Sequence, residues 1–265
     1  MGIIRKLKAL FEKKQVVLSP ITILNDSDVL KGKNVVITGG SSGIGKAIAV
    51  SCVNKGANVI IVGRSEETLK KVSLEIGEKC SYYVLDVSGD IPEDIFCKIS
   101  NNPITDLVNN AGVYVNYNSL NYTKEDFDNV FNTNCRAPFL LSQLFVKYLK
   151  GKNQKGTIVF TSSNRALMGD DGPYGMSKTA INSFIEGLAR ENIKSGIRVN
   201  GVAPGMTASR INGIDINGDL FNSSVRGGRT ILPQEIAEIV CFLLSDISKC
   251  VTGAIIPCDE GDRLR

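Results

Sequence analysis

Asn34-Val35-Val36-Ile37-Thr38-Gly39-Gly40-Ser41-Ser42-Gly43-Ile44-Gly45 is the stretch that decides the fold. Its opening is a short β-branched run, the pattern of a strand buried on both faces of a parallel sheet. The run passes directly into a turn holding four glycines, after which Ala47, Ile48, Val50 and Val53 recur at helical spacing. Strand, glycine-rich turn and helix in that order bring backbone N–H groups and a helix N-terminus against a phosphate. Glycines alone would fit any tight turn. The flanking strand and helix make nucleotide binding the reading.

The same alternation continues along the chain. Apolar runs predict strands at Asn58–Val62, Tyr82–Leu85, Asp106–Val108, Gly156–Thr161, Gly196–Val202 and Val251–Pro257. Helical patterns fall between them at Glu66–Ile76, Phe127–Leu149, Tyr174 to about Lys194, and from Pro233 onward. Strands alternating with helices predict an α/β chain. The expected architecture is a three-layer αβα Rossmann fold with a doubly wound, mostly parallel seven-stranded sheet. Functional residues should then gather at the carboxyl ends of the strands.

One pair of side chains stands out as chemistry. Tyr174 and Lys178 lie four apart at the head of a predicted helix, hence on one face. A cation near a phenol favours the phenolate, so the tyrosine's proton is expected to leave more easily than usual. Alone, such a pair is ordinary surface decoration. It gains weight because the chain has no histidine, which excludes Ser-His-Asp and Cys-His catalytic units and His-ligated metal. Proton transfer near neutral pH must then use a shifted Tyr, Lys, Cys, Asp or Glu.

Length and composition suit one α/β domain, expected at 31–265, behind an N-terminal extension and linker at 1–30. Arg5, Lys6, Lys8, Lys13 and Lys14 against Glu12 account for the whole net charge of +4. The remainder is neutral, so nucleic-acid binding is not indicated. Residues 1–14 also place Ile3, Ile4, Leu7, Leu10 and Phe11 at helical spacing. That pattern fits an arm on its own domain or a sister subunit, a frayed tail, or a contact with an anionic membrane surface. No apolar run reaches the length of a bilayer span. The seven cysteines are scattered and never spaced as a CxxC unit, which reads as core thiols in a reducing compartment and points to the cytoplasm.

Thr38-Gly39-x-x-x-Gly43-x-Gly45, Asn109-Asn110-Ala111-Gly112 and Tyr174-x-x-x-Lys178 together resemble the short-chain dehydrogenase/reductase family in its single-domain branch. The resemblance covers about residues 31–261. It implies cofactor binding by Gly39, Ser41, Ser42, Gly43, Ile44 and Gly45, with Asp86 and Val87 on the adenine. It also implies a ribose-side wall of Asn110, Ala111 and Gly112, a Pro204-Gly205 turn under the nicotinamide, and Thr207 or Ser209 on the carboxamide or diphosphate. Tyr174 and Lys178 count in both the cofactor and the catalytic sets. Ser163 matches the family's catalytic serine, with Ser162 as the neighbouring alternative. Asn134 matches a helix-interior asparagine that holds a water near the catalytic lysine. Helices in the 127–149 stretch commonly pack against a partner subunit, implying a homotetramer or homodimer. Departures are Ala137-Pro138, where the proline should bend the helix, and a loop at 164–173 about two residues short.

At the end of the second strand stands Gly63-Arg64-Ser65 rather than an acidic residue. An acid there would hold both ribose hydroxyls of NAD and repel a 2′-phosphate. A guanidinium suits that phosphate, with Ser42 and Ser65 adding hydrogen bonds. NADP(H) is therefore the expected cofactor, NAD(H) the second. The implied activity is metal-free interconversion of a small-molecule carbonyl and a secondary alcohol by Asn134, Ser163, Tyr174 and Lys178. Two alternatives share these features: a nicotinamide-dependent epimerase or dehydratase, and a non-catalytic NADP-binding scaffold. Residues 206–229 have the composition of a lid, with Arg210, Arg226 and Arg229 facing either solvent or an anionic substrate.

Overall fold

The computed structural model describes residues 28–115, 120–208 and 218–264. The basic arm at 1–14, Ser209, Arg210 and the middle of the lid lie outside the described residues.

Seven strands form one sheet: β1 (Asn34–Thr38), β2 (Asn58–Gly63), β3 (Cys80–Val84), β4 (Asp106–Asn109), β5 (Gly156–Thr161), β6 (Ile197–Pro204) and β7 (Ile255–Cys258). Their order is β3-β2-β1-β4-β5-β6-β7 and every pairing is parallel, so the sheet is wholly rather than mostly parallel. Successive residues of a strand face opposite ways, and the core divides accordingly. Val35, Ile37, Val59, Ile61, Val108 and Val159 point to one face. There they meet α1 (Gly43–Asn54), α2 (Glu66–Ile76) and α7 (Pro233–Leu244). Val36, Ile60, Val62, Leu107, Ile158 and Phe160 point to the other. That side is covered by α3 (Ile95–Lys98), α5 (Ala137–Gly151) and α6 (Pro173–Asn192). The continuous β-branched runs are thus strands with both faces buried. Leu30, assigned by sequence to the linker, is completely buried in the first core cluster; its N–H donates to the Lys55 carbonyl at 2.8 Å.

The long helix expected over 127–149 is divided. α4 (Lys124–Phe131) leads into a π-helical turn, Asn132–Arg136, and then α5. Pro138 sits in the first turn of α5 and has no N–H for the carbonyl four residues back, that of Asn134. The wider turn is how the chain takes in a proline here, in place of the simple bend expected from sequence. Of the seven cysteines, Cys52, Cys80 and Cys241 are buried, while Cys97 and Cys250 are exposed. The core role therefore holds for fewer than the sequence suggested.

The sheet's connections change direction between β1 and β4, and one side chain holds these two strand ends together. Thr38 Oγ1 accepts from the Asn110 and Ala111 N–H groups at 3.0 and 3.1 Å. Asn110 Nδ2 donates to the Thr38 and Gly39 carbonyls, and its Oδ1 accepts from Thr161 at the end of β5. Thr38→Val keeps the shape but strands two backbone donors. It is expected to cost about 2 kcal/mol in urea unfolding and to weaken dinucleotide binding in the same variant.

Candidate active site

A cleft of about 580 Å3 opens where β1 and β4 part, at the carboxyl edge of the sheet. Its floor is the glycine turn. A Cβ on Gly45 would collide with the Gly39 carbonyl and lie 2.5 Å from Asn110 Nδ2, so only glycine lets α1 pack this close. Gly43 has φ +50° with open space beside it, leaving the turn's backbone accessible. Ser42 precedes α1 in extended conformation and makes no side-chain cap. The first N–H groups of α1 are therefore not taken by their own cap residue. By contrast, Ser65 caps α2 by accepting from the Thr68 N–H.

Gly39, Ser41, Ser42, Gly43, Ile44, Arg64, Asp86, Val87, Asn110, Ala111, Gly112, Pro204, Gly205 and Thr207 all line this cleft, as do Ser163, Tyr174 and Lys178. Three expected residues do not. Gly45 is buried beneath the turn, Ser65 spends its hydroxyl on the helix cap, and Asn134 lies behind Gly112. Ser65 thus also serves as the N-cap of α2. Arg64 is exposed at the rim. Asp86 accepts from the Ser88 N–H and hydroxyl, which hold its carboxyl below the usual carboxylate range, and Arg64 adds to that effect.

The two adjacent serines separate cleanly. Ser162 Oγ donates to Asn182 on α6 at 2.6 Å, facing inward. Ser163 faces the Tyr174 phenol and opposes the rise that burial causes there, and its Oγ accepts from the Arg165 N–H. Side-chain direction, not sequence, distinguishes them.

Tyr174 lies in the first turn of α6, whose N-cap is Gly172. Lys178 is buried on the same helix and donates to the Thr161 carbonyl at 2.7 Å. Its ammonium is 5.8 Å from the Tyr174 ring centroid. A Cβ at Gly112 would lie 3.4 Å from Asn134 Oδ1 and 3.6 Å from Lys178 Nζ, in ordinary contact, so the backbone here passes close to both groups. Burial brings Lys178 down to about 8. Burial also pushes the Tyr174 phenol above its ordinary value, and Ser163 only partly offsets it. The expected lowering of the phenol by its lysine is therefore not what this geometry gives. At neutral pH the phenol keeps its proton.

Asn134 also differs in detail from expectation. Its side-chain amide is spent on Val113, accepting from the N–H at 2.8 Å and donating to the C=O at 2.9 Å. Pro138 leaves the Asn134 main-chain carbonyl without its α-helical donor. Near the lid, Arg229 pairs in bidentate fashion with Glu235 at 2.7 Å and also with Glu260, so it is structural. Tyr114 was missed by sequence reasoning; it lines the cleft with its ring edge-on to Tyr174 at 5.1 Å. Only its position two residues after Gly112 signals it.

A glycine-lined cradle and an uncapped helix start fit the diphosphate of a dinucleotide. Comparison with known proteins agrees. The family profile described as short chain dehydrogenase matches residues 33–216. A 3-oxoacyl-acyl-carrier-protein reductase of Thermotoga maritima is 34% identical, covering 88% of this chain and 98% of its own. An L-xylulose reductase of Caenorhabditis elegans is 32% identical, covering 86% and 95%. A 3alpha-hydroxysteroid dehydrogenase of Mediterraneibacter gnavus is 32% identical, covering 89% and 98%. The crystal structure of a short-chain type dehydrogenase/reductase from Mycobacterium marinum superposes with a TM-score of 0.80 at 28% identity, covering 91% and 98%.

The buried lysine yields a test of its surroundings. Its folded pKa, about 8, lies below the ordinary 10.5, so between those values the unfolded chain binds more protons and stability rises with pH. Lys178→Met should remove that rise, worth roughly 3 kcal/mol or less, in urea unfolding at successive pH values from 7.5 to 10.5. An identical pH slope in both proteins would contradict the burial argument.

Proposed function

Because the chain belongs to the short-chain dehydrogenase family, whose oxidoreductases act on alcohol and carbonyl groups with nicotinamide dinucleotides, we propose that it interconverts a carbonyl compound and a secondary alcohol using NADP(H). The observation that carries this reading is the convergence of Ser163, Tyr174 and Lys178 in the cleft whose floor is the glycine turn. The three relatives named above reduce or oxidise quite different compounds by name, so family membership points to the reaction and not to the substrate.

In this reading the glycine turn and the α1 N-terminus hold the diphosphate, Asp86 and Val87 the adenine, and Gly112, Pro204, Gly205 and Thr207 the nicotinamide side. Arg64 and Ser42 take the 2′-phosphate, since a rim guanidinium attracts a dianion while no carboxylate ends β2. The bound nicotinamide supplies the hydride. Ser163 hydrogen-bonds the substrate oxygen, where negative charge grows during reduction. Tyr174, which burial keeps protonated at neutral pH, gives its proton to that oxygen, and in oxidation takes it back. Lys178 stands close enough to stabilise the resulting phenolate and to bind the ribose. A water on the Asn134 main-chain carbonyl returns protons to Lys178. Residues 31–265 form the catalytic domain in this account. The helices α4 and α5, with half-exposed Phe127 and Phe139, support an oligomer.

Tyr174→Phe is expected to lower turnover by about two orders of magnitude or more while leaving NADPH affinity within about twofold. Turnover can be followed by NADPH absorbance across a ketone panel and affinity by fluorescence. Full activity in this variant would remove the tyrosine from the mechanism. Arg64→Ala should weaken NADPH binding about tenfold and leave NADH binding unchanged; an equal loss for both would assign Arg64 no role in choosing between them.

A further inference from the structure

Resting on the carbonyl chemistry above, we propose that Tyr114 is a specificity-determining residue whose ring forms the wall that seats a flat aryl substituent on the substrate's carbonyl carbon. The backbone on either side of this tyrosine is pinned. Val113 is hydrogen-bonded through both its N–H and its C=O to Asn134. The Val115 carbonyl accepts from the Tyr122 hydroxyl at 3.2 Å. Between these anchors the Tyr114 side chain is nearly half exposed, at 47%, and lines the cleft. Its ring meets Tyr174 at 84°, with centroids 5.1 Å apart. A ring held in place beside the proton donor is a preformed surface, so little ordering cost falls on a group that stacks there.

The surroundings favour an uncharged apolar substituent. Arg165 and Asp170 both act on the Tyr174 phenol, but they pair with each other at 3.3 Å. Each thus partly neutralises the other's charge beside the phenol. Val113, next to Tyr114, is an apolar residue lining the same cleft. Aromatic rings gain from offset or edge-on partners beyond the area they bury, whereas a saturated ring of similar size gains only the burial.

The test compares acetophenone with cyclohexanone in the wild type, Tyr114→Phe, Tyr114→Leu and Tyr114→Ala. Activity is read by NADPH consumption and cofactor affinity by NADPH fluorescence. Ketone binding to the NADP+-loaded protein is read by saturation-transfer NMR. The kcat/KM ratio of acetophenone to cyclohexanone should stay within about twofold in Tyr114→Phe and fall about tenfold in Tyr114→Leu and Tyr114→Ala, with NADPH affinity unchanged. A loss shared by both ketones reports only the lost contact with Tyr174. An unchanged ratio in Tyr114→Leu overturns the proposal even if Tyr114→Ala misfolds. Should the wild type reduce neither ketone, the oxidoreductase reading suffers and binding decides this one. Preferential acetophenone binding that Tyr114→Leu abolishes supports it, and equal binding of the two ketones overturns it.

Discussion

The cleft depends on two strands being held together at the point where their connections diverge. At that point β1 and β4 run side by side, yet the chain leaves them toward opposite faces of the sheet. Parallel strands end in unpaired backbone groups, and a crevice there would leave N–H donors buried without partners. Thr38 removes the problem by accepting from Asn110 and Ala111, and Asn110 answers by donating to Thr38 and Gly39 and accepting from Thr161. Three strand ends are tied through three side chains. The glycine turn, Gly112 and the Thr161 carbonyl all take their positions from this knot.

From Thr161 the constraint passes to the chemistry. Its carbonyl fixes the Lys178 ammonium, and the backbone at Gly112 passes beside that ammonium and Asn134. Burial then acts on both titrating groups in the direction that favours their neutral forms: Lys178 falls to about 8 while Tyr174 rises. A phenol that holds its proton and an ammonium that can release one suit a site where a substrate oxygen gains negative charge. The same desolvation makes any charge that appears there interact strongly with its neighbours.

Much of this was legible in the chain itself, for definite reasons. Burial on both faces demands uninterrupted apolar strands, so β1, β2 and β5 announce themselves. Ser65 caps α2 as its position implies. Other features were invisible because they depend on direction rather than spacing. Ser162 and Ser163 are chemically equivalent in sequence, and only the alternation of β5 turns one into α6 and the other toward Tyr174. Arg229 reads as a lid cation until two carboxylates, six and thirty-one residues away, are seen to hold it. The π-helical turn before Pro138 likewise has no local signature beyond the proline, which in a sequence reads equally well as a simple bend.

The amino-acid sequence alone determined the layered parallel fold, the glycine turn and the placing of Tyr174 and Lys178 on one helix face. Each of these rests on local periodicity, or on glycines within one turn of chain. Tertiary structure decided the protonation balance of Tyr174 and Lys178, the different directions of Ser162 and Ser163, and the placement of the Tyr114 ring against Tyr174. Those properties arise from desolvation and side-chain direction, which exist only once segments distant along the chain exclude water from one another.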